Sequence, residues 1–133
     1  MKKSGSKKYI PNRGDIVWLD FDPRTGREQD GHLTGARQPR PPCPSGHRPA
    51  IVISPKEFNT LSSLVFVCPI TSRVKGFSFE VPLTEETKTQ GVVLIHHLRS
   101  VDWKTRKIKF IEPAPVAVIN EICAKLKPLI FTN

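Results

Sequence analysis

Six short runs of β-branched and aromatic residues, each closed by turn-forming or charged residues, precede one stretch of helical period at the C-terminal end of the chain. They are DIVWLDF (15–21), RPAIVIS (48–54), LVFVCPI (64–70), FSFEVPL (77–83), GVVLI (91–95) and KIKFIE (107–112). Runs of this kind read as strands, and FSFEVPL alternates apolar and polar residues in the period-2 manner of a half-buried one. PKEFNTLSS, between the second and third runs, reads as a turn, and so does the segment from Ser100 to Arg106. In the last stretch, PVAVINEICAKLKPLI, Val116, Ile119, Ile122, Cys123 and Leu126 fall at helical spacing, with Pro115 suited to a helix start and Pro128 near its end. Many short strands closed by one helix point to a mainly β chain, and a small barrel is the economical way to remove the sheet edges.

The rest of the sequence bounds what such a barrel can do. With 133 residues the chain forms one domain, in which roughly two-thirds of the unfolded surface can be buried. That leaves no room for a second catalytic domain or a large cofactor fold. No apolar run approaches the roughly 18 to 20 residues that cross a bilayer, and MKKSGSKK leads into YIPNRGD instead of an apolar signal core, so a soluble, cytoplasmic protein is expected. Residues 1–8 carry Lys2, Lys3, Lys7 and Lys8 among Gly and Ser and read as a basic flexible arm; residues 9–133 read as the single domain. Cys43, Cys68 and Cys123 are odd in number and widely spaced, which indicates neither a disulfide framework nor a zinc site; Cys68, inside LVFVCPI, reads as a buried small hydrophobe. Trp18, between Val17 and Leu19, reads as core, and Trp103 as core or stacking platform.

The order of Tyr9-Ile10-Pro11, GDIVWLDFDP, GHRPAIVISP, CPITSRVKGFSFEV and GVVLIHHLRSVDW resembles the MazF/PemK-type toxin endoribonucleases of type II toxin–antitoxin systems, from Tyr9 to Ile130. The resemblance implies an SH3-like barrel with a C-terminal helix, shared with CcdB-type toxins. It also implies a homodimer that cuts single-stranded mRNA at a short sequence without metal or cofactor, and a cognate antitoxin that silences the toxin and binds DNA with it. Two rival readings of the same fold are a CcdB-like poison of DNA gyrase and a nucleic-acid-binding module that does not cut. Neither needs the pair discussed next.

Arg48 in GHRPA and Thr71 in CPITS match the family's catalytic pair. Metal-free RNA cleavage sends the 2′-hydroxyl onto the adjacent phosphorus. It calls for a proton acceptor, stabilisation of an anionic phosphorane and neutralisation of the departing 5′-oxygen, and it leaves a 2′,3′-cyclic phosphate and a 5′-hydroxyl. A guanidinium supplies charge and a bidentate fork, and a hydroxyl supplies one directed hydrogen bond. With a pKa above roughly 12, arginine is a poor proton donor in free solution, so Arg48 is assigned first to charge stabilisation and second to proton transfer. Phe21 and Arg24 lie where the family contacts substrate, and His47 holds the loop or touches RNA. Arg73 and Lys75, in the Gly76-terminated turn, are either phosphate contacts or a solvated face. His96 and His97 stand where common members carry acidic and amide residues, and they either alter the base read beside the cut or form a solvated pair.

A second departure is LTGARQPRPPCPSGH (33–47), a 15-residue insertion between EQDGH and RPA that repeats Gly-His at its end. Its Arg37 and Arg40, with no acidic residue, suit an RNA contact; a tolerated disordered loop and a cover over the site are the alternatives. The formal charge is 21 − 12 = +9, of which the arm holds +4 and the insertion +2, so the barrel carries 9 − 4 − 2 = +3. Charge alone is therefore a weak footprint of RNA binding.

Overall fold

The computed structural model describes residues 8–21 and 47–131. Residues 1–7 of the basic arm, Arg24, Cys43 and the insertion before His47 lie outside them. Seven strands and two helices follow in the order β1 (Asp15–Asp20), β2 (His47–Val52), α1 (Lys56–Ser62), β3 (Leu64–Thr71), β4 (Glu80–Pro82), β5 (Val92–Leu94), β6 (Arg99–Asp102), β7 (Lys109–Pro113) and α2 (Val116–Ile130). A single 3₁₀ turn, Ile95–His97, links β5 to β6. The strands form one antiparallel sheet in the order β4-β5-β3-β2-β1-β7. β3 carries β6 on its first half, Leu64 to Val67, and β5 at Ile70 and Thr71. The barrel-like architecture expected from the sequence is present, but the ladder is not closed between β4 and β7.

Strand alternation divides the core into two layers. Ile16, Ile51, Cys68, Ile70, Val81, Val93 and Ile95 face α2, which contributes Val118, Ile122 and Leu126. Val17, Leu19, Ala50, Val52, Val65, Val67, Val101 and Trp103 form the second layer, flanked by Tyr9, Ile10, Phe21 and Ile108. Burial, with a smaller effect of nearby Cys123, pushes the Cys68 thiol up to about 12, so Cys68 packs as the apolar residue its sequence context suggests. Gly14, at φ +93°, brings β1 under the helix: a Cβ there would stand 2.6 Å from Ile119 Cδ1.

Several local expectations are corrected. PKEFNTLSS is a helix, α1, with buried Asn59 as its anchor. The Asn59 side-chain nitrogen donates to the carbonyls of Pro11 (2.8 Å) and Ser54 (3.0 Å), and the Asn59 backbone carbonyl accepts the Trp103 indole N–H at 2.9 Å. Trp103 is therefore core. The segment from Ser100 begins as strand β6, because Val101 pairs with Val65 of β3 and is buried there. Of FSFEVPL only Glu80–Pro82 is strand. On α2 the buried ridge is Val118, Ile122 and Leu126, whereas Val116 and Cys123 are exposed. Trp18, expected in the core, is 39 % exposed: alternation turns it to the α2 side, and there it stacks on His47 (centroids 6.3 Å apart, planes 13° apart). No helix among the described residues is long and apolar enough to cross a membrane.

Candidate ribonuclease site

β2 and β3 run antiparallel with Ala50 opposite Pro69, Ile51 opposite Cys68 and Val52 opposite Val67. Arg48 lies two residues before Ala50 and Thr71 two residues after Pro69, so the same register brings Arg48 and Thr71 to facing positions. Both share the parity of second-layer residues (Ala50 and Val52 on β2, Val65 and Val67 on β3), so both project to that side of the sheet. Leu19 pairs with Arg48, and Phe21, two residues on, packs at the rim of the same layer. Arg99 enters from β6 on that side too, opposite Val67, with its guanidinium carbon 5.1 Å from the Phe21 ring centroid. Arg99 and Phe21 thus form a cation–π pair beside Arg48.

Thr71 is held from two directions. Its Oγ1 accepts the Arg73 backbone N–H at 3.1 Å, which occupies a lone pair and leaves the hydroxyl hydrogen free to donate. Gly91, at φ +121°, lies against its carbonyl: a Cβ on Gly91 would stand 2.2 Å from Thr71 O. Only glycine admits that approach. No sequence pattern singled out Gly91.

The turn carrying Arg73 and Lys75 is organised from behind. The Glu80 carboxylate, buried at the start of β4, accepts the amides of Lys75 (3.2 Å) and Gly76 (2.9 Å). Lys125 of α2 donates to the carbonyls of Ser78 and Glu80 at 2.8 and 3.3 Å. Arg73 and Lys75 themselves are exposed. His96 and His97 occupy the 3₁₀ turn, where Phe79, His96 and His97 form a chain of rings with centroid spacings of 4.1 and 4.3 Å. Partial burial, then His96 and then the charge of Arg48, lower the His97 pKa below its ordinary value, which favours the neutral imidazole. His47 has the parity of Ile51 and stacks on Trp18 at the side of the sheet opposite Arg48.

The loop that delivers Gly91 is tied to β7. The Glu112 carboxylate accepts the Lys88 amide (2.9 and 3.1 Å), the Thr89 amide (2.8 Å) and the Thr89 hydroxyl (2.8 Å). Desolvation alone would raise the Glu112 pKa, but these hydrogen bonds and the Lys88 charge outweigh it and hold the carboxyl below its usual range. A lowered native pKa means that the tether is at full strength above the ordinary carboxylate pKa and is lost as pH falls through the native value. The amide proton shifts of Lys88 and Thr89 are therefore expected to titrate together at a midpoint below that of an unperturbed glutamate, and Glu112→Gln abolishes the titration.

The family described as "PemK-like, MazF-like toxin of type II toxin-antitoxin system" matches residues 12–130. The endoribonuclease toxin ChpB of Escherichia coli K12 is 37% identical over 130 residues, which cover 93% of this chain and 97% of ChpB. The endoribonuclease toxin MazF of the same strain is 35% identical over 99 residues, 74% of this chain and 75% of MazF. A crystal structure of MazE–MazF from Deinococcus radiodurans superposes with a TM-score of 0.73 at 36% identity, covering 95% of this chain and 100% of the matched one.

Proposed function

Because the chain belongs to the PemK-like, MazF-like toxins of type II toxin–antitoxin systems, we propose that it is an endoribonuclease that cuts single-stranded mRNA and thereby arrests translation. One observation supports the assignment of its site: extended two residues beyond the Ala50–Pro69 pair, the β2–β3 register sets Arg48 opposite Thr71, on the side of the sheet that holds Phe21 and Arg99. A scissile phosphate between them receives the Arg48 fork on its non-bridging oxygens and a hydrogen bond from the Thr71 hydroxyl. Both contacts strengthen as charge builds on the phosphorane, which is where stabilisation lowers the barrier. Arg73 and Lys75 lie on the exposed turn that follows Thr71 and hold neighbouring phosphates, and Phe21 offers a ring edge to a base. Arg24, outside the described residues, is proposed as a further substrate contact.

The products are a 2′,3′-cyclic phosphate and a 5′-hydroxyl, and no metal takes part. Two copies assemble as a homodimer in the cytoplasm, with an antitoxin as the inhibiting partner, a reading supported by the MazE–MazF complex of Deinococcus radiodurans. Residues 9–133 act as one domain; the arm 1–8 and the insertion 33–47 are appendages to it. Incubating the purified protein with a long transcript in EDTA and mapping the ends tests this reading. Discrete cuts with cyclic phosphate and 5′-hydroxyl ends are expected, and intact RNA at stoichiometric protein overturns it.

A further inference from the structure

Among the described residues β4 ends the sheet order, so one row of its backbone carbonyls has no strand beyond it to pair with. Alternation sends the Phe79 carbonyl inward, where it accepts the Ile95 amide at 3.2 Å, and sends the flanking carbonyls of Ser78 and Glu80 to the open edge. There the Lys125 ammonium of α2 donates to both, at 2.8 and 3.3 Å. Glu121, one turn earlier on the helix, lies 3.4 Å from the same ammonium and directs it.

Such a lock would serve stability alone if the segment it holds led nowhere, but residues 77–80 join two turns. On one side the Glu80 carboxylate, buried, accepts the Lys75 and Gly76 amides at 3.2 and 2.9 Å, and the Glu80 amide donates to Phe77 O at 3.1 Å, which fixes the turn that presents Arg73 and Lys75. On the other side the Phe79 carbonyl holds the first residue of the 3₁₀ turn that carries His96 and His97, and the Phe79 ring lies 4.1 Å from that of His96. Arg73 and Lys75 are exposed, and ordering two long side chains together with their turn opposes binding. A backbone already held by Glu80 removes part of that cost before RNA arrives.

We infer that Lys125 is a positioning residue for RNA: by locking the carbonyls of Ser78 and Glu80 it keeps the Glu80 carboxylate under the 72–76 turn, and so presents Arg73 and Lys75 to the phosphates that flank the cut. This rests on the reading of Arg73 and Lys75 as phosphate contacts. Lys125 acts through the backbone of the edge strand and touches no RNA group itself. Thr71 is fixed separately, by its pairing with Val92 of β5 and by the close approach of Gly91, so loss of the lock falls on binding and not on the chemical step.

The test measures cleavage of an oligonucleotide spanning a mapped site, and binding of its 2′-deoxy analogue as a function of salt. Lys125→Met is expected to raise KM and the analogue Kd by about 10-fold with kcat kept. The slope of log Kd against log salt becomes shallower by about 0.7 to 1.4, the share of one to two phosphates on a single strand. A merely structural role lowers the folded fraction and leaves that slope alone. Amide exchange at Lys75 and Gly76 is expected to quicken in the same variant, and Lys125→Arg, which keeps a cation on the two carbonyls, restores affinity and slope. Lys127→Met removes an equal charge from the exposed face of α2 and should change neither. Wild-type Kd and slope in Lys125→Met overturn the inference, as does an equal loss in Lys127→Met. If the double variant Arg73→Ala, Lys75→Ala still weakens binding in that case, the phosphate-contact reading survives; if the double variant binds as wild type does, both fall.

Discussion

Replacing Arg48 by alanine is expected to lower cleavage by roughly 10³ or more while leaving a folded protein that still binds a 2′-deoxy analogue of an oligonucleotide spanning a mapped cleavage site. Removal of a single preorganised donor from a developing oxyanion costs on the order of 10² to 10³ in kcat. Arg48 removes two donors and a full charge at once, which sets it at the upper end. The fold tolerates the change because Arg48 lies at the edge of the second layer, only partly buried, whereas the packing of β2 comes from Ala50, Ile51 and Val52. Arg48→Lys separates charge from geometry: a lysine keeps the charge and loses the planar fork, so an intermediate rate is expected. Thr71→Ala removes one hydrogen bond and should be the milder loss, near 10-fold to 10²-fold. Cleavage of the mapped oligonucleotide in EDTA, with circular dichroism and analogue binding as controls, reads all three. Arg48→Ala at wild-type rate would remove the site from this face of the sheet altogether.

What the sequence disclosed and what it hid follow from how far each signal reaches along the chain. The strands with strong β-branched character, β1, β2, β3, β5 and β7, were legible because their alternation is a local property. β6 was not, since RSVD has one apolar residue and becomes a strand only through its pairing with β3. Nor was α1: seven residues give too few turns for a period, Pro55 offers no side-chain cap, and the residue that anchors the helix is polar Asn59, held by hydrogen bonds. Trp18 shows the same limit. Its alternation with Val17 and Leu19 is a local property, but no local pattern says that the layer under α2 ends before Trp18. Arg48 and Thr71 came from motif resemblance, and their facing register from the structure. His47 adjoins Arg48 in sequence and is separated from it by the pleat, whereas His97 is distant in sequence and lies within reach of the Arg48 charge.

Gly91→Ala is expected to damage stability and cleavage together. The added Cβ would stand 2.2 Å from Thr71 O and 2.8 Å from Thr71 C, both backbone atoms that no rotamer change can move aside. At φ +121° the alanine is also strained whatever the space, a cost of about 1–3 kcal/mol. Overpacking against backbone adds a comparable amount, so a loss on the order of 3 kcal/mol is expected, from a domain whose whole stability is about 5–15 kcal/mol. Relief requires Thr71 and β5 to separate, and a displacement near 1 Å at a reacting group costs about 10² in rate. Gly76→Ala is the control. Gly76 also has positive φ, +81°, but a Cβ there meets nothing within 4 Å, so it carries the strain without the collision. Chemical denaturation of the two variants isolates the collision in their difference, and the cleavage assay asks whether that collision reaches the Thr71 hydroxyl. If both variants lose equal stability and both keep wild-type cleavage, the close approach of Gly91 does not position Thr71, and the loop tethered by Glu112 has no part in building the site.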